Sequence, residues 1–211
     1  MQADFWHDKW KKKELGFHEA EGNQYLKKNI AILKLAKENR VFIPLCGKTH
    51  DIKWLLSQGY KVVGAELSEL AIKELFSDLE LTPSVLDIDG FRRYHAESID
   101  VFVGDIFNLS AELLGPVDAI YDRAALVALP IEMRCSYTKL LCKLTNNAPQ
   151  LLIVFEYDQS VMAGPPFAIL PDEVREHYQE HYHLRQISNE LMTEKLKGNR
   201  AAREVVWHLT Q

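Results

Sequence analysis

The chain has 211 residues, 47% hydrophobic and 26% charged, which suits one sizeable core and is short for two ordinary domains, so we expect a single domain over residues 1–211. A formal net charge of -5 and a pI near 5.9 argue against a nucleic-acid surface, which would carry a basic stripe, and favour a small-molecule partner. Cys46, Cys135 and Cys142 form no C-x-x-C motif or zinc set, and neither a secretion signal nor a bilayer-long apolar stretch is evident, so we expect a reduced, cytoplasmic protein without metal or membrane.

Residues 1–38 are rich in helix formers and aromatic residues among many charges. This pattern predicts one or two amphipathic helices ahead of the first strand. Trp6 and Trp10, four residues apart, share a helix face. That face fits two roles, packing on the sheet or covering a ligand as an N-terminal helical lid.

The stretch 41–68 predicts a strand, a tight turn, a helix and a second strand. Val41–Leu45 is a short apolar run typical of a strand buried on both faces. After the turn Cys46-Gly47-Lys48, Thr49 can cap a helix that closes at Gly59. A second strand over 61–65 then runs into an acid, Glu66.

Glu66 follows the turn by about twenty residues, the spacing at which a Rossmann-type unit holds ribose hydroxyls. The turn lacks the G-x-G-x-x-G motif that lets a backbone approach a pyrophosphate. A ligand with a ribose but no phosphate fits this pattern better, and S-adenosylmethionine (SAM) is such a ligand. A nicotinamide-dependent dehydrogenase is disfavoured for the same reason.

Further along, Ser68 can cap a helix that ends before Pro83, and 82–98 looks like a polar segment with a surface turn at 87–90. Ile99–Val103 predicts a third strand, followed by Asp105. Asp105 belongs to the same carboxyl edge of the sheet as Leu45 and Glu66, where it could meet an adenine edge or simply cap the next turn.

Val117–Tyr121 predicts a fourth strand that leads directly into Asp122-Arg123. Two opposite charges after a buried strand favour a position facing the ligand crevice over a structural salt bridge. The sequence then predicts a helix over 130–144 and a strand over 151–155. A Gly-Pro-Pro loop at 164–167 could wall a pocket or be a plain turn. A second helix over 171–182 and an antiparallel hairpin, 183–192 with 201–210, complete the chain. Cys135 and Cys142 are expected in the core.

Five parallel strands that alternate with helices, then a final hairpin, predict an α/β fold. Its layout is that of a Rossmann-like class I SAM-dependent methyltransferase with a mostly parallel, seven-stranded sheet. The sequence also resembles the thiopurine S-methyltransferases, most closely their bacterial members. The resemblance is carried by WHDKW, GFH, PLCGK, VVGAELS, GDIF, YDRAALVALP, and YDQ with GPPF, at 6–10, 16–18, 44–48, 62–68, 104–107, 121–130 and 157–167.

This resemblance implies site residues. Those expected to contact SAM are Trp10, Leu45, Glu66 and Arg123. Ile106, with Asp105 beside it, would flank the adenine, and Phe17 would line the acceptor pocket. No role is transferred to Arg200 or Arg203, because the C-terminal segment departs from the family pattern.

The resemblance further implies methyl transfer to the sulfur of a thiopurine or another small aromatic or heterocyclic thiol, by in-line displacement that depends on alignment and desolvation. Arg123 could favour an anionic sulfur or only bind cofactor, and Asp122 is a second candidate catalytic residue. The alternatives are another soft nucleophile, such as a selenium or tellurium species, a halide or sulfide, and a non-catalytic nucleoside-binding domain. We expect a monomer.

Overall fold

Short apolar runs separated by amphipathic stretches fold into alternating strands and helices, as the sequence pattern predicts. The computed structural model describes residues 3–12, 19, 21–192, 196 and 201–211. The chain divides by its internal contacts into two compact units, Met1–Ala119 and Ile120–Gln211, and each is described on its own. The expectation of a single domain stays a prediction.

The first unit contains five of the seven α-helices found among the described residues. Its helices are α1 (Ala3–Lys11), α2 (Gln24–Asn29), α3 (His50–Ser57), α4 (Glu69–Asp78) and α5 (Ala111–Leu114), with 3-10 turns at Ile30–Leu33 and Ile106–Asn108. Its strands are β1 (Arg40–Pro44), β2 (Lys61–Glu66), β3 (Ser84–Ile88), β4 (Phe91–Ala96) and β5 (Ile99–Val103).

These strands lie in the order β3-β4-β5-β2-β1. β1 pairs in parallel with β2, which pairs in parallel with β5, so Ile43, Gly64 and Val101 lie side by side. The interior residues of β1 and β2 are buried almost completely. Parallel strands covered on both faces need such continuous apolar runs, and their carboxyl ends therefore meet at one edge.

Both helix starts predicted in this unit are confirmed. Thr49 accepts a hydrogen bond from the Asp51 N–H, and Ser68 accepts one from the Ala71 N–H. Each oxygen satisfies a backbone donor that the first turn of a helix leaves unpaired. The two caps fix where α3 and α4 begin, directly beyond β1 and β2.

The segment 82–98 is not the polar surface segment that we predicted. It forms the antiparallel hairpin β3–β4, and β4 pairs antiparallel with β5. β3 is exposed over most of its length, whereas β4 buries only Phe91 and Tyr94. Because few side chains point inward, the apolar alternation that marks a strand is missing, and pairing with β5 provides the order instead.

The second unit contains four strands and two α-helices among its described residues. They are β6 (Ala119–Arg123), which begins one residue before the unit boundary, α6 (Ile131–Thr145), β7 (Gln150–Glu156), α7 (Pro171–Tyr178), β8 (His183–Leu191) and β9 (Arg203–Thr210), with 3-10 turns at Leu126–Ala128 and Gln159–Val161. The strands lie in the order β6-β7-β9-β8. β6 and β7 are parallel, whereas β7–β9 and β8–β9 are antiparallel, which confirms the predicted C-terminal hairpin.

Three expectations are corrected. The described residues hold nine strands, five in the first unit and four in the second, and they are mixed in direction. The prediction of seven mostly parallel strands was therefore wrong in number and understated antiparallel pairing, while the α/β class is confirmed. Asp122 and Arg123 lie inside β6 rather than beyond it, and Cys135 is exposed whereas Cys142 is buried.

None of the helices in the described ranges is long and apolar enough to cross a membrane.

Candidate functional site

The turn after β1 has a strained backbone. Leu45, the residue after the strand, has φ 47°, and Gly47 has φ 52°. Left-handed backbone is uncommon for a residue with a side chain, and such strain concentrates at functional sites. The Cys46 N–H donates to the Ala65 oxygen at 3.1 Å. The start of the turn therefore stays hydrogen-bonded to the end of β2.

Glu66, the last residue of β2, receives backbone hydrogen bonds on both carboxylate oxygens. Oε2 accepts from the Gly47 N–H and Oε1 from the Ser68 N–H, each at 2.8 Å. The residue is only 6% exposed. Burial raises the pKa of Glu66, opposed by backbone N–H donors including those of Ser68 and Gly47. Each oxygen can accept more than one hydrogen bond, so this carboxylate is held in place with capacity left for a ligand.

The end of β5 lies beside Glu66. The Gly104 N–H donates to the Glu66 backbone oxygen at 2.9 Å. Asp105 is exposed, and its Oδ1 accepts from the Phe107 N–H at 3.0 Å, so it caps the following 3-10 turn. Ile106 is buried at 3% exposure. Leu45, Glu66 and Gly104 thus meet at the carboxyl edge of β1, β2 and β5, where open α/β sheets bind ligands.

A surface cleft of about 630 Å³ lies at this end of β5. It is lined by Val103, by Glu69 in the first turn of α4, and by the β3–β4 turn 87–92. Arg92 connects the β3–β4 turn to α4, because its guanidinium donates to Asp87 at 2.8 Å and to Glu69 at 3.1 Å. Sequence alone does not predict this wall, because the mostly exposed side chains of β3 and β4 lack the apolar alternation of a strand.

Cys46 is part of the turn, and its thiol packs directly against β2. A Cβ built on Gly64 would lie 2.7 Å from the Cys46 Sγ. Burial is the main cause that raises the pKa of Cys46 well above its ordinary value, and the charge of Glu66 adds to it. A protonated, buried thiol is a packing group and a poor nucleophile.

Of the predicted N-terminal contacts, Trp10 is described and Phe17 lies outside the described residues. Trp10 is 4% exposed on α1, and α1 contacts α4. The predicted helices are confirmed, while the role of this segment as a lid stays a prediction. Arg200 also lies outside the described residues.

In the second unit, Asp122 is completely buried and fixes the loop that follows β6. Its Oδ1 accepts from the Leu126 N–H at 3.1 Å and its Oδ2 from the Tyr137 hydroxyl at 2.8 Å. Burial raises the pKa of Asp122 to about 6, against the opposing effect of those two donors. Between Asp122 and Leu126, Ala124 has φ 61°. Asp122 therefore holds a strained loop next to the half-buried Arg123. Its partner Tyr137 lies 15 residues away on α6, so no local sequence pattern predicts the pair.

Within the described ranges, no three His, Cys, Asp or Glu side chains are grouped to hold a metal ion.

Solved structures with the same fold define the class. A SAM-dependent methyltransferase from Anabaena variabilis superimposes with a TM-score of 0.68 at 16% identity, over 98% of this chain and 93% of that chain. A 1,6-didemethyltoxoflavin-N1-methyltransferase from Burkholderia thailandensis, solved with S-adenosylhomocysteine (SAH) bound, gives a TM-score of 0.63 at 16% identity, over 99% of this chain and 87% of that chain. The fold is that of the class I methyltransferases.

Sequence comparison gives the family. The family model described as Thiopurine S-methyltransferase matches residues 1–211. A protein of that name from Teredinibacter turnerae is 50% identical over 211 residues, 100% of this chain and 98% of its own length. One from Xanthobacter autotrophicus is 49% identical over 210 residues, 99% of each chain. The chain belongs to the thiopurine S-methyltransferase family, and it is a methyltransferase that uses SAM, as predicted.

Proposed function

We propose that this methyltransferase transfers the methyl group to the sulfur of small aromatic or heterocyclic thiols, thiopurines among them. The observation that carries the proposal is the agreement, at about half of all positions and over the whole chain, with relatives named Thiopurine S-methyltransferase.

The chemistry of the candidate acids supports the same acceptor class. Glu66, Asp105 and Asp122 each use carboxylate oxygens to accept backbone N–H bonds. Each of these acids therefore has a structural role as a hydrogen-bond acceptor, and the proposed chemistry assigns none of them as a general base. An aromatic thiol that ionises near neutral pH needs no dedicated base, in contrast to a hydroxyl or amine acceptor.

The edge of the first unit fits the cofactor. Glu66 would accept hydrogen bonds from the ribose hydroxyls, since its carboxylate is buried, oriented and only partly used. Leu45 and Trp10 would contact the cofactor, and Asp105 and Ile106 would flank its adenine. When bound, SAM supplies a methyl group on a positively charged sulfur, which is a good leaving group for an in-line attack by a thiolate.

Beyond binding SAM, the enzyme contributes to catalysis by positioning the reactants and by excluding water. We assign Arg123 to the cofactor or to the anionic sulfur of the acceptor, and Phe17 to the acceptor side. Asp122 would act on Arg123 through the loop that it anchors.

A matched pair of acceptors tests the proposal. With radiolabelled SAM, we expect methyl transfer to 6-mercaptopurine and to thiophenol, and none to hypoxanthine or phenol, in which oxygen replaces sulfur. Selenite, iodide and sulfide complete the panel. Faster transfer to any of those three than to both thiols would refute the assignment to aromatic thiols and leave the methyltransferase assignment intact.

A further inference from the structure

Asp51 is a buried acid for which the proposed chemistry has no use. It lies in the first turn of α3 and is 1% exposed. Carboxylates are rarely buried so completely without partners, because desolvation of the charge is costly. Its partners therefore indicate what this acid does.

Those partners join two separate parts of the first unit. Asp51 Oδ1 accepts from the backbone N–H of Asn23 at 2.5 Å, and its Oδ2 accepts from the Thr49 hydroxyl at 3.0 Å. Gly22 has φ +71°, and a Cβ built on it would lie 2.9 Å from Asp51 Oδ1. The N-terminal chain thus approaches the carboxylate so closely that a side chain at 22 would collide with it.

Asn23 extends the contact into the N-terminal segment. It is 1% exposed, and its Oδ1 caps α2 by accepting from the N–H groups of Tyr25 and Leu26 at 2.9 and 3.1 Å. Its Nδ2 donates to Glu19 at 3.2 Å. One carboxylate therefore fixes the position at which α2 begins.

On its other side, Asp51 is connected through Thr49 to the turn after β1. Thr49, which caps α3, donates its own N–H to the Cys46 oxygen at 3.4 Å. Next to Cys46, the Gly47 N–H donates to Glu66. A continuous run of hydrogen bonds and covalent bonds connects Asn23 with Glu66 through Asp51, with every member in the first unit.

We propose that Asp51 is a positioning residue for methyl transfer, which holds the N-terminal segment in register with the Leu45–Glu66 edge. The inference rests on the proposed function, since Trp10 on that segment is assigned a cofactor contact. Asp51 touches neither cofactor nor acceptor. Its effect is exerted through Asn23 on the start of α2, and we expect it to extend to α1.

The test compares Asp51→Asn with Asp100→Asn. The amide in the first variant keeps the size of the side chain but replaces one acceptor oxygen with a donor. Asp100, near the amino end of β5, is also a partly buried acid, bonded to Arg93 and His95 at 2.8 and 2.9 Å. Its loss should reduce stability without reaching the site. Both variants are measured by calorimetry with SAH, by turnover of 6-mercaptopurine, and by hydrogen exchange of α1 with and without SAH.

In the wild type, SAH is expected to slow hydrogen exchange in α1. In Asp51→Asn, we expect the protection of α1 to be lost, the Kd for SAH to rise because the Trp10 contact is coupled to that protection, and kcat to fall by up to about 100-fold, the scale of an ångström of misalignment. Asp100→Asn should retain both protection and kcat. If Asp51→Asn does not fold, Gly22→Ala disturbs the same contact from the opposite side and should give the same loss.

Equal kcat and equal α1 exchange in the two Asp→Asn variants would overturn the proposal, as would wild-type exchange that SAH does not change. These outcomes differ from a failure of the proposed acceptor. In that case the wild type methylates no thiol, while the SAH-dependent protection and its loss in Asp51→Asn persist.

Discussion

The Glu66 carboxylate has a structural role as the acceptor of two backbone N–H groups, and the proposed function gives it a ligand-binding role as well. In Glu66→Gln, the amide NH₂ faces one of the two backbone donors that the oxygens now accept, and one acceptor for the ribose is lost. A hydrogen bond to a charged group contributes about 1.5–3 kcal/mol, so the Kd for SAH should rise about 10- to 100-fold in calorimetry. Glu38→Gln, at a surface ion pair with Lys61 of 2.9 Å, is the control and should bind SAH normally.

Unchanged SAH affinity in Glu66→Gln would remove this residue from the site. Sequence alone predicts that Glu66→Ala weakens SAM binding and leaves the fold intact. The structure argues otherwise, because alanine strips the acceptor from the buried N–H groups of Gly47 and Ser68. Orphaned buried donors are costly, so Glu66→Ala should also lower the free energy of unfolding.

The raised pKa of the buried Asp122 carboxyl predicts that the stability of the protein depends on pH. Its pKa is about 6 in the folded protein, above the ordinary 3.8, so the folded state binds the proton more tightly than the unfolded state does. The free energy of unfolding should therefore fall as pH rises from about 4 to above 6, by up to about 3 kcal/mol from this group. Urea unfolding at pH 4.5 and 7.5 measures the slope, and Asp122→Asn should reduce it. An identical slope in the variant would contradict the assignment.

At the scale of elements, the close packing of the turn against β2 depends on Gly64. Alanine there would place Cβ 2.7 Å from the Cys46 Sγ and 3.5 Å from the Val101 Cγ1. Such overpacking costs about 1–3 kcal/mol of unfolding free energy. Because most of the clash is with the thiol, adding Cys46→Ala to Gly64→Ala should cost less than the sum of the two single variants in urea unfolding. Strict additivity would show that the backbone, rather than the thiol, sets the fit.

At the scale of the whole molecule, binding of the demethylated cofactor should appear as stabilisation. SAH at about 100 times its Kd should add about 2.7 kcal/mol to the free energy of unfolding and raise Tm in a thermal scan. NAD⁺ at the same concentration should not, since the turn after β1 lacks the glycine-rich pattern that cradles a pyrophosphate. A Tm shift with NAD⁺ as large as that with SAH would contradict this interpretation of the turn.

Local patterns in the sequence determined a large part of this protein. The apolar run of β1, the Thr49 and Ser68 caps and the acid at the end of β2 lie within a few residues of the features they control, and the C-terminal hairpin follows from strand patterning. The residues that carry the family resemblance are equally local motifs. Each can be read from a short window, because capping and periodicity act over one or two turns of chain.

Only the tertiary structure decided the partners of the buried polar groups. Asp51 meets Asn23 across 28 residues and Asp122 meets Tyr137 across 15, separations at which no periodicity links the two positions. The β3–β4 hairpin is a third case, since pairing with β5 orders strands whose own side chains are mostly solvated. Desolvation forces each buried charge to find a donor, but the donor is chosen by where the folded backbone brings one.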